Sequence, residues 1–288
     1  MKKTGVVLVC YHTPEETLSC AMMYASMSCV NQIVIVDNET TEKSRKIFEN
    51  IKNNKIETIY QDKNIGYSKG NNVGINSLIN QYDVDKIVIS NSDIEISENA
   101  VVRCLEALEC HNKLGTVAPL MKGLDGTFYP LRFIELGYLR IFLRIFLTET
   151  IIDKSTQKYC NKNSNMVYQS FVPGCFFILE RNAIEKCNGF DENIFLYREE
   201  EILGKRMERA GYKTAVCTDC FFIHNHNYKK ETPEVKTNRN KIVMKSEQWY
   251  FQEYLKSNKI QMLYVNIMQK IYLLTRDLGW RLMRVLKK

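Results

Sequence analysis

Four short apolar runs, each followed by a segment with helix-start chemistry, fill the first 110 residues and constrain the fold more than any other feature. Val6–Cys10, Gln32–Val36, Lys55–Tyr60 and Lys86–Ser90 read as strands. After the first, Thr13 offers an N-cap, Pro14 suits the first helical position and Glu16 completes a capping box. Further helices are expected near Thr41–Lys52, from a glycine- and asparagine-rich turn to about Asn80, and over Glu98–Glu109. Alternation of this kind gives a mainly parallel sheet with helices on both faces.

The middle is less regular. Gly115–Met121, Cys175–Glu180, Thr214–Cys217 and Cys220–His224 read as strands, and Arg132–Thr148 and Arg198–Ala210 as helices. Beyond about Tyr228 strand signals stop, and helices are expected over Glu247–Ser257 and Ile260–Leu286. The boundary falls near Asn227–Glu231, giving a domain over residues 1–228 and a helical extension over 229–288.

Hydrophobic residues make up 45% of the 288, enough for a substantial core, and no low-complexity tract or repeat interrupts them. Ten cysteines would suggest disulfides in a secreted chain. However, the apolar run after Met1-Lys2-Lys3 is too short for a signal-peptide core, so a cytoplasmic chain with reduced, structural cysteines is expected. Cys217-Thr218-Asp219-Cys220 is the sole C-x-x-C, and zinc there needs ligands from elsewhere. No run reaches the roughly 18 apolar residues of a membrane span. The nearest, Phe133 to Ile152, is broken by Glu135, Arg140, Arg144 and Glu149. The net charge of +7 is matched by the end of the chain, where eight Lys and Arg from Lys256 onward face Asp277 alone.

Ligands of open parallel sheets sit at the carboxyl ends of the strands. Here those ends are polar: Asp37-Asn38, then Asn64 through Gly74, then Asn91-Ser92-Asp93. Asp37 offers an acceptor to a nucleobase or ribose, and the glycines give tight turns and close backbone approach. Asp93 and Asn91 offer oxygen ligands to Mg²⁺ or Mn²⁺, which in turn binds diphosphate. Singly, each cluster is as well explained by a helix cap or a turn. Their order is the specific signal.

In this order the chain resembles the family 2 glycosyltransferases of the GT-A fold, especially the bacterial branch of rhamnosyltransferase-like, capsule and O-antigen enzymes. The resemblance rests on Val36-Asp37-Asn38, on N-x-G-x-x-x-G-x-N-x-G from Asn64 to Gly74, and on Asn91-Ser92-Asp93 in the place of a D-x-D metal motif. It continues through Gly174–Leu179, Gly189-Phe190-Asp191-Glu192 and Phe195-Leu196-Tyr197-Arg198-Glu199-Glu200, covering about residues 4–228. It implies a nucleotide-sugar-binding α/β fold, with the mainly parallel central sheet flanked by helices and followed by the helical extension. Asp37, Asn38, Asn64, Gly66, Gly70, Asn71, Asn72 and Asn91 would then serve the donor, Asp93 and His224 the metal, and Glu200, with Glu199 as alternative, the general base. Of the pair His224 and His226, His224 fits the register better. Two departures stand out: Asn91 replaces the first metal carboxylate, and Ile202 replaces a second acidic residue after the base.

One base and no nucleophile imply a single inverting displacement from a UDP- or dTDP-sugar to a hydroxyl of a glycan or lipid-linked saccharide. Rival readings fit less well. A sugar-nucleotide nucleotidyltransferase wants a basic, glycine-rich phosphate loop where Cys10-Tyr11-His12-Thr13-Pro14 stands, and a dinucleotide enzyme wants G-x-G-x-x-G there. A non-catalytic glycan- or nucleotide-binding module leaves Asp93 and Glu200 unexplained, and no nucleic-acid partner is expected. Helical spacing of Leu263, Tyr264, Ile267, Met268, Ile271 and Leu274, with Trp280 and the basic residues, suits either an anionic membrane surface or packing on the catalytic domain or a second subunit.

Overall fold

The computed structural model describes residues 2–129, 131, 137–147, 165–225 and 233–286. Its centre is a nine-stranded sheet. In chain order the strands are β1 (Thr4–Cys10), β2 (Gln32–Asn38), β3 (Ile56–Gln61), β4 (Lys86–Ser90), β5 (Ile94–Ile96), β6 (Leu114–Gly123), β7 (Met166–Gln169), β8 (Phe176–Glu180) and β9 (Lys213–His224). They lie in the order β3-β2-β1-β4-β8-β6-β9-β5, with β7 on β9.

The first four strands are parallel, as the alternation predicts. Strand β1 has a parallel neighbour on each side and helices on both faces, which is why Val6 through Val9 is apolar without alternation. Successive residues still divide between the faces. Val6, Leu8 and Cys10 pack into the layer of α1 (Pro14–Ala25), with Ala21 and Tyr24, while Val7 packs with Ile75 and Leu78 of α3 (Tyr67–Tyr82). Gly74 lets α3 lie this close, since a Cβ there would sit 2.4 Å from Val7. Helix α2 (Glu42–Glu49) follows β2, and α4 (Glu98–Cys110) follows β5.

The second half departs from the parallel expectation. Strand β8 runs antiparallel to both β4 and β6, and β9 is parallel to β6 but antiparallel to β5 and β7. The sheet is therefore mixed. The two short strands expected over 214–224 are one strand, β9, whose pairing with β6 jumps from Pro119–Cys217 to Leu120–Phe221 across a bulge. The three-residue β5 and four-residue β7 are too short to leave a periodicity in the sequence. At α1 the expected capping box does not form: Thr13 makes no side-chain cap bond, and Thr17 instead bonds its carbonyl at 2.9 Å.

Of the helix expected over Arg132–Thr148, the described part is α5 (Tyr138–Leu143); residues 132–136 and 148 lie outside the described residues. Helices α6 (Arg181–Lys186) and α7 (Glu199–Arg209) lie between β8 and β9. Beyond them, α8 (Pro233–Trp249) runs into a π-helical turn (Tyr250–Tyr254), and α9 spans Lys259–Leu286. These helices dock on the sheet domain. Tyr250, Phe251 and Val265 pack with Ile141, Ile194 and Ile202, and Trp249 Nε1 and the Tyr254 hydroxyl donate to Asp191 Oδ2 at 2.8 and 2.7 Å.

Candidate active site

The end of β4 meets the α7 turn and the α8 helix around a cavity of about 890 Å³. Tyr67, Asn91, Gly174, Glu199, Glu200 and His224 line it, together with Arg140, Arg144, Lys236, Arg239 and Tyr272. The part of the lining built from α8 has no sequence signal of its own, because it depends on how a polar helix docks.

Asp93 and His224 are brought together by backbone pairing. Ile94 of β5 faces His224 of β9 in antiparallel register, and the Asn225 amide donates to the Asp93 carbonyl at 2.8 Å. The side chains meet with His224 Nε2 3.1 Å from Asp93 Oδ2. His226 lies outside the described residues. Asn91 is anchored through its backbone amide to the Cys175 carbonyl at 2.8 Å, and its Oδ1 accepts from the Tyr67 hydroxyl at 3.1 Å. That hydroxyl is also 3.2 Å from the Gly174 carbonyl. Burial, reinforced by the charges of Glu199 and Glu200, pushes the Tyr67 phenol up, so it stays a donor.

The acidic pair follows a strained turn. Tyr197 and Arg198 both hold positive φ, at 69° and 71°, a region costly to residues with a side chain. This turn redirects the chain so that the first residues of α7 face the cavity. The Phe195 carbonyl accepts from the Tyr67 amide at 2.8 Å, joining the turn to the start of α3. Gly66, at φ 87°, is required there, since a Cβ would fall 2.7 Å from the Phe195 oxygen.

The two carboxylates differ. Glu199 is buried and accepts from the Tyr197 amide at 2.8 Å. Burial, then the neighbouring charge of Glu200, pushes its carboxyl up to about 8, so at neutral pH it mostly keeps its proton. Glu200 is half-buried and lies over Gly174, where an added Cβ would meet its Oε2 at 3.2 Å.

The remaining expected residues form two other groups. Asp37 is buried and accepts from the Ser44 hydroxyl at 2.6 Å. Asn38 donates to Asn64 Oδ1 at 3.0 Å and accepts from the Ile65 amide at 2.9 Å, holding the loop after β3. Gly70, Asn71 and Asn72 do not line the cavity. Gly70 packs on Val9, and Asn71 is buried with its amide on the Tyr67 carbonyl at 3.0 Å. Asn72 grips Phe190, accepting from its amide at 2.8 Å and donating to its carbonyl at 3.0 Å. Asn72 therefore fixes the loop around Gly189, a role that spacing alone does not separate from ligand contact.

The fold is that of solved nucleotide-sugar transferases. The mannosyltransferase PcManGT from Pyrobaculum calidifontis, in complex with GDP-Man and Mn²⁺, superposes with a TM-score of 0.59 at 10% identity, over 95% of this chain and 72% of that one. In sequence, the chain is 22% identical over 221 residues to the low-salt glycan biosynthesis hexosyltransferase Agl10 of Haloferax volcanii, covering 77% of this chain and 66% of that one. It is 27% identical over 201 residues to the O-antigen chain rhamnosyltransferase WbaN of Salmonella anatum, covering 69% and 58%. The chain thus spans less than two thirds of either relative. The model of Glycosyl transferase family 2 matches residues 15–187, more than half the length, and the chain belongs to that family.

Proposed function

We propose that this chain is an inverting, divalent-cation-dependent glycosyltransferase that moves a sugar from a UDP- or dTDP-sugar to a hydroxyl of a glycan or lipid-linked saccharide in cell-surface polysaccharide synthesis. The observation that carries the reading is that Glu200 and His224, which meets Asp93, line one cavity. Residues that would hold a cation and a carboxylate that would serve as the base therefore border the same space.

The donor set fits a cation. A carboxylate oxygen and an imidazole nitrogen 3.1 Å apart leave positions open to diphosphate oxygens and water, and the nitrogen favours Mn²⁺ over Mg²⁺. When bound, such an ion neutralises charge developing on the leaving nucleoside diphosphate, worth several kcal/mol. Asp93 and His224 would hold it, and Asn91, fixed by Tyr67, would border the donor. Asp37 with Ser44, and Asn38 with Asn64 and Gly66, would shape the ledge for base and ribose. With Glu199 held toward its protonated form, Glu200 is the carboxylate assigned to accept the proton of the attacking hydroxyl.

Arg140, Lys236 and Arg239 also line the cavity, and we assign them to the acceptor. That lining suits an anionic acceptor such as a diphosphate-linked saccharide. We divide the chain into the catalytic domain, residues 1–228, and the extension, 229–288, which closes the acceptor side. In α9, Tyr264 and Met268 pack inward, while Ile260, Leu263, Ile267, Ile271 and Leu274 form an exposed apolar stripe. With the basic residues beyond it, this stripe supports peripheral binding to the inner face of a membrane. Among the described residues, no helix is long and apolar enough to cross one. The side chain of Trp280 lies outside the described residues.

The direct test is Mn²⁺-dependent nucleotide binding. Asp93→Ala should lose transfer and the Mn²⁺-dependent part of UDP or dTDP binding by calorimetry, and His224→Ala should weaken it. Full activity of Asp93→Ala in the presence of EDTA would refute the assignment.

A further inference from the structure

The C-x-x-C of β9 gains a partner in the fold. The sulfurs of Cys104, Cys217 and Cys220 all lie within 4.8 Å of one another. Residues three apart on a regular strand point to opposite faces. Here the bulge between Cys217 and Phe221 takes up Thr218, Asp219 and Cys220, and so brings both β9 thiols to the side where α4 presents Cys104. The Arg103 Nε bond to Asp219, at 2.7 Å, fastens the bulge to the same helix.

We infer that Cys104, Cys217 and Cys220 form a tri-thiolate site for a thiophilic cation of the zinc class, separate from the Asp93–His224 pair. Zinc–sulfur bonds are about 2.3 Å, so sulfurs around one ion stand about 4 Å apart, within reach of the spacing found here. Cys104 and Cys217 are fully buried, while Cys220 is partly exposed, leaving a side from which solvent supplies a fourth ligand. Binding a cation there requires the thiols to give up their protons.

The position suggests a mechanical role. Cys104 is on the helix that follows β5, next to Asp93, and Cys220 precedes His224 on β9. A bound ion would clamp β9, which ends at His224, to α4, the helix that follows the short β5 after Asp93.

The test uses full-length, reduced, metal-stripped protein titrated with Co²⁺. The site predicts a near-ultraviolet thiolate-to-cobalt charge-transfer band saturating at about one equivalent and displaced by Zn²⁺. Oxygen and imidazole ligands give no such band, so Asp93→Ala should retain it. Cys220→Ser, at the least buried of the three, should lose it without unfolding. Independently, Zn²⁺ should slow alkylation of Cys220 in the native wild-type protein. No thiolate band, a band of full strength in Cys220→Ser, or alkylation indifferent to Zn²⁺ would overturn the site and leave three packed thiols.

Discussion

The guanidinium of Arg198 donates to the carboxylate of Glu247 at 2.8 Å, 49 positions further along the chain. Arg198 also reaches Glu201 at 2.6 Å, and Arg144 grips Glu247 with both of its terminal nitrogens. The strained turn that presents Glu200 is thereby bolted to α8, a helix that the sequence assigns to the extension. Burial works against charge on Glu247, but Arg198 and Arg144 outweigh it and hold the carboxyl below its ordinary range.

Glu247→Ala leaves two guanidiniums without their shared counter-charge in a buried site. Breaking a buried pair of this kind costs on the order of 3–5 kcal/mol. The melting temperature should fall by several degrees, and kcat should fall with it, because the Glu200 turn loses its anchor. A variant with wild-type Tm by calorimetry would show that the network is not structural.

Glu199 gives a pH signature. Its folded value of about 8 lies above the ordinary 4.5, so the folded state holds a proton that the unfolded chain gives up. The corresponding stability is complete below pH 4.5, declines as pH rises toward 8, and is gone above that. Glu199→Gln should therefore flatten the fall in Tm across this window. An unchanged pH profile of Tm would mean that Glu199 ionises normally.

The parallel half of the fold was legible because β1, β2 and β4 are apolar runs with both faces covered, each followed by helix-start chemistry. The Asp93–His224 meeting was legible only through family resemblance. It is created by β5, three residues long, pairing with the end of β9. The cavity wall from α8 was not legible, since Lys236, Arg239 and Glu247 sit in a polar helix whose inner face is defined by ion pairs rather than apolar period. Nor was the Asn72 grip on Phe190, because an asparagine in a glycine-rich stretch has the same spacing whether it meets a ligand or a loop.

The exposed stripe of α9 is tested by replacing Leu263, Ile267 and Leu274 with Ser. Because these side chains are exposed, the fold should keep its Tm. Salt-sensitive binding to vesicles rich in anionic lipid should weaken by an order of magnitude or more, while transfer to a soluble acceptor persists. If full-length protein ignores such vesicles at low salt, or the triple variant instead splits an oligomer, the stripe is a protein interface.

The central claim is that Glu200, and not Glu199, takes the proton of the attacking hydroxyl. Steady-state kinetics of Glu200→Gln and Glu199→Gln at neutral pH test it most directly, with donor affinity measured in parallel. Glu200→Gln should lose about 10²–10⁴-fold in kcat with donor Kd unchanged, as expected for a general base. Glu199→Gln, which mimics the protonated acid already present, should stay within a few-fold of wild type. Near-normal turnover by Glu200→Gln, or a dead Glu199→Gln beside an active Glu200→Gln, would contradict the account.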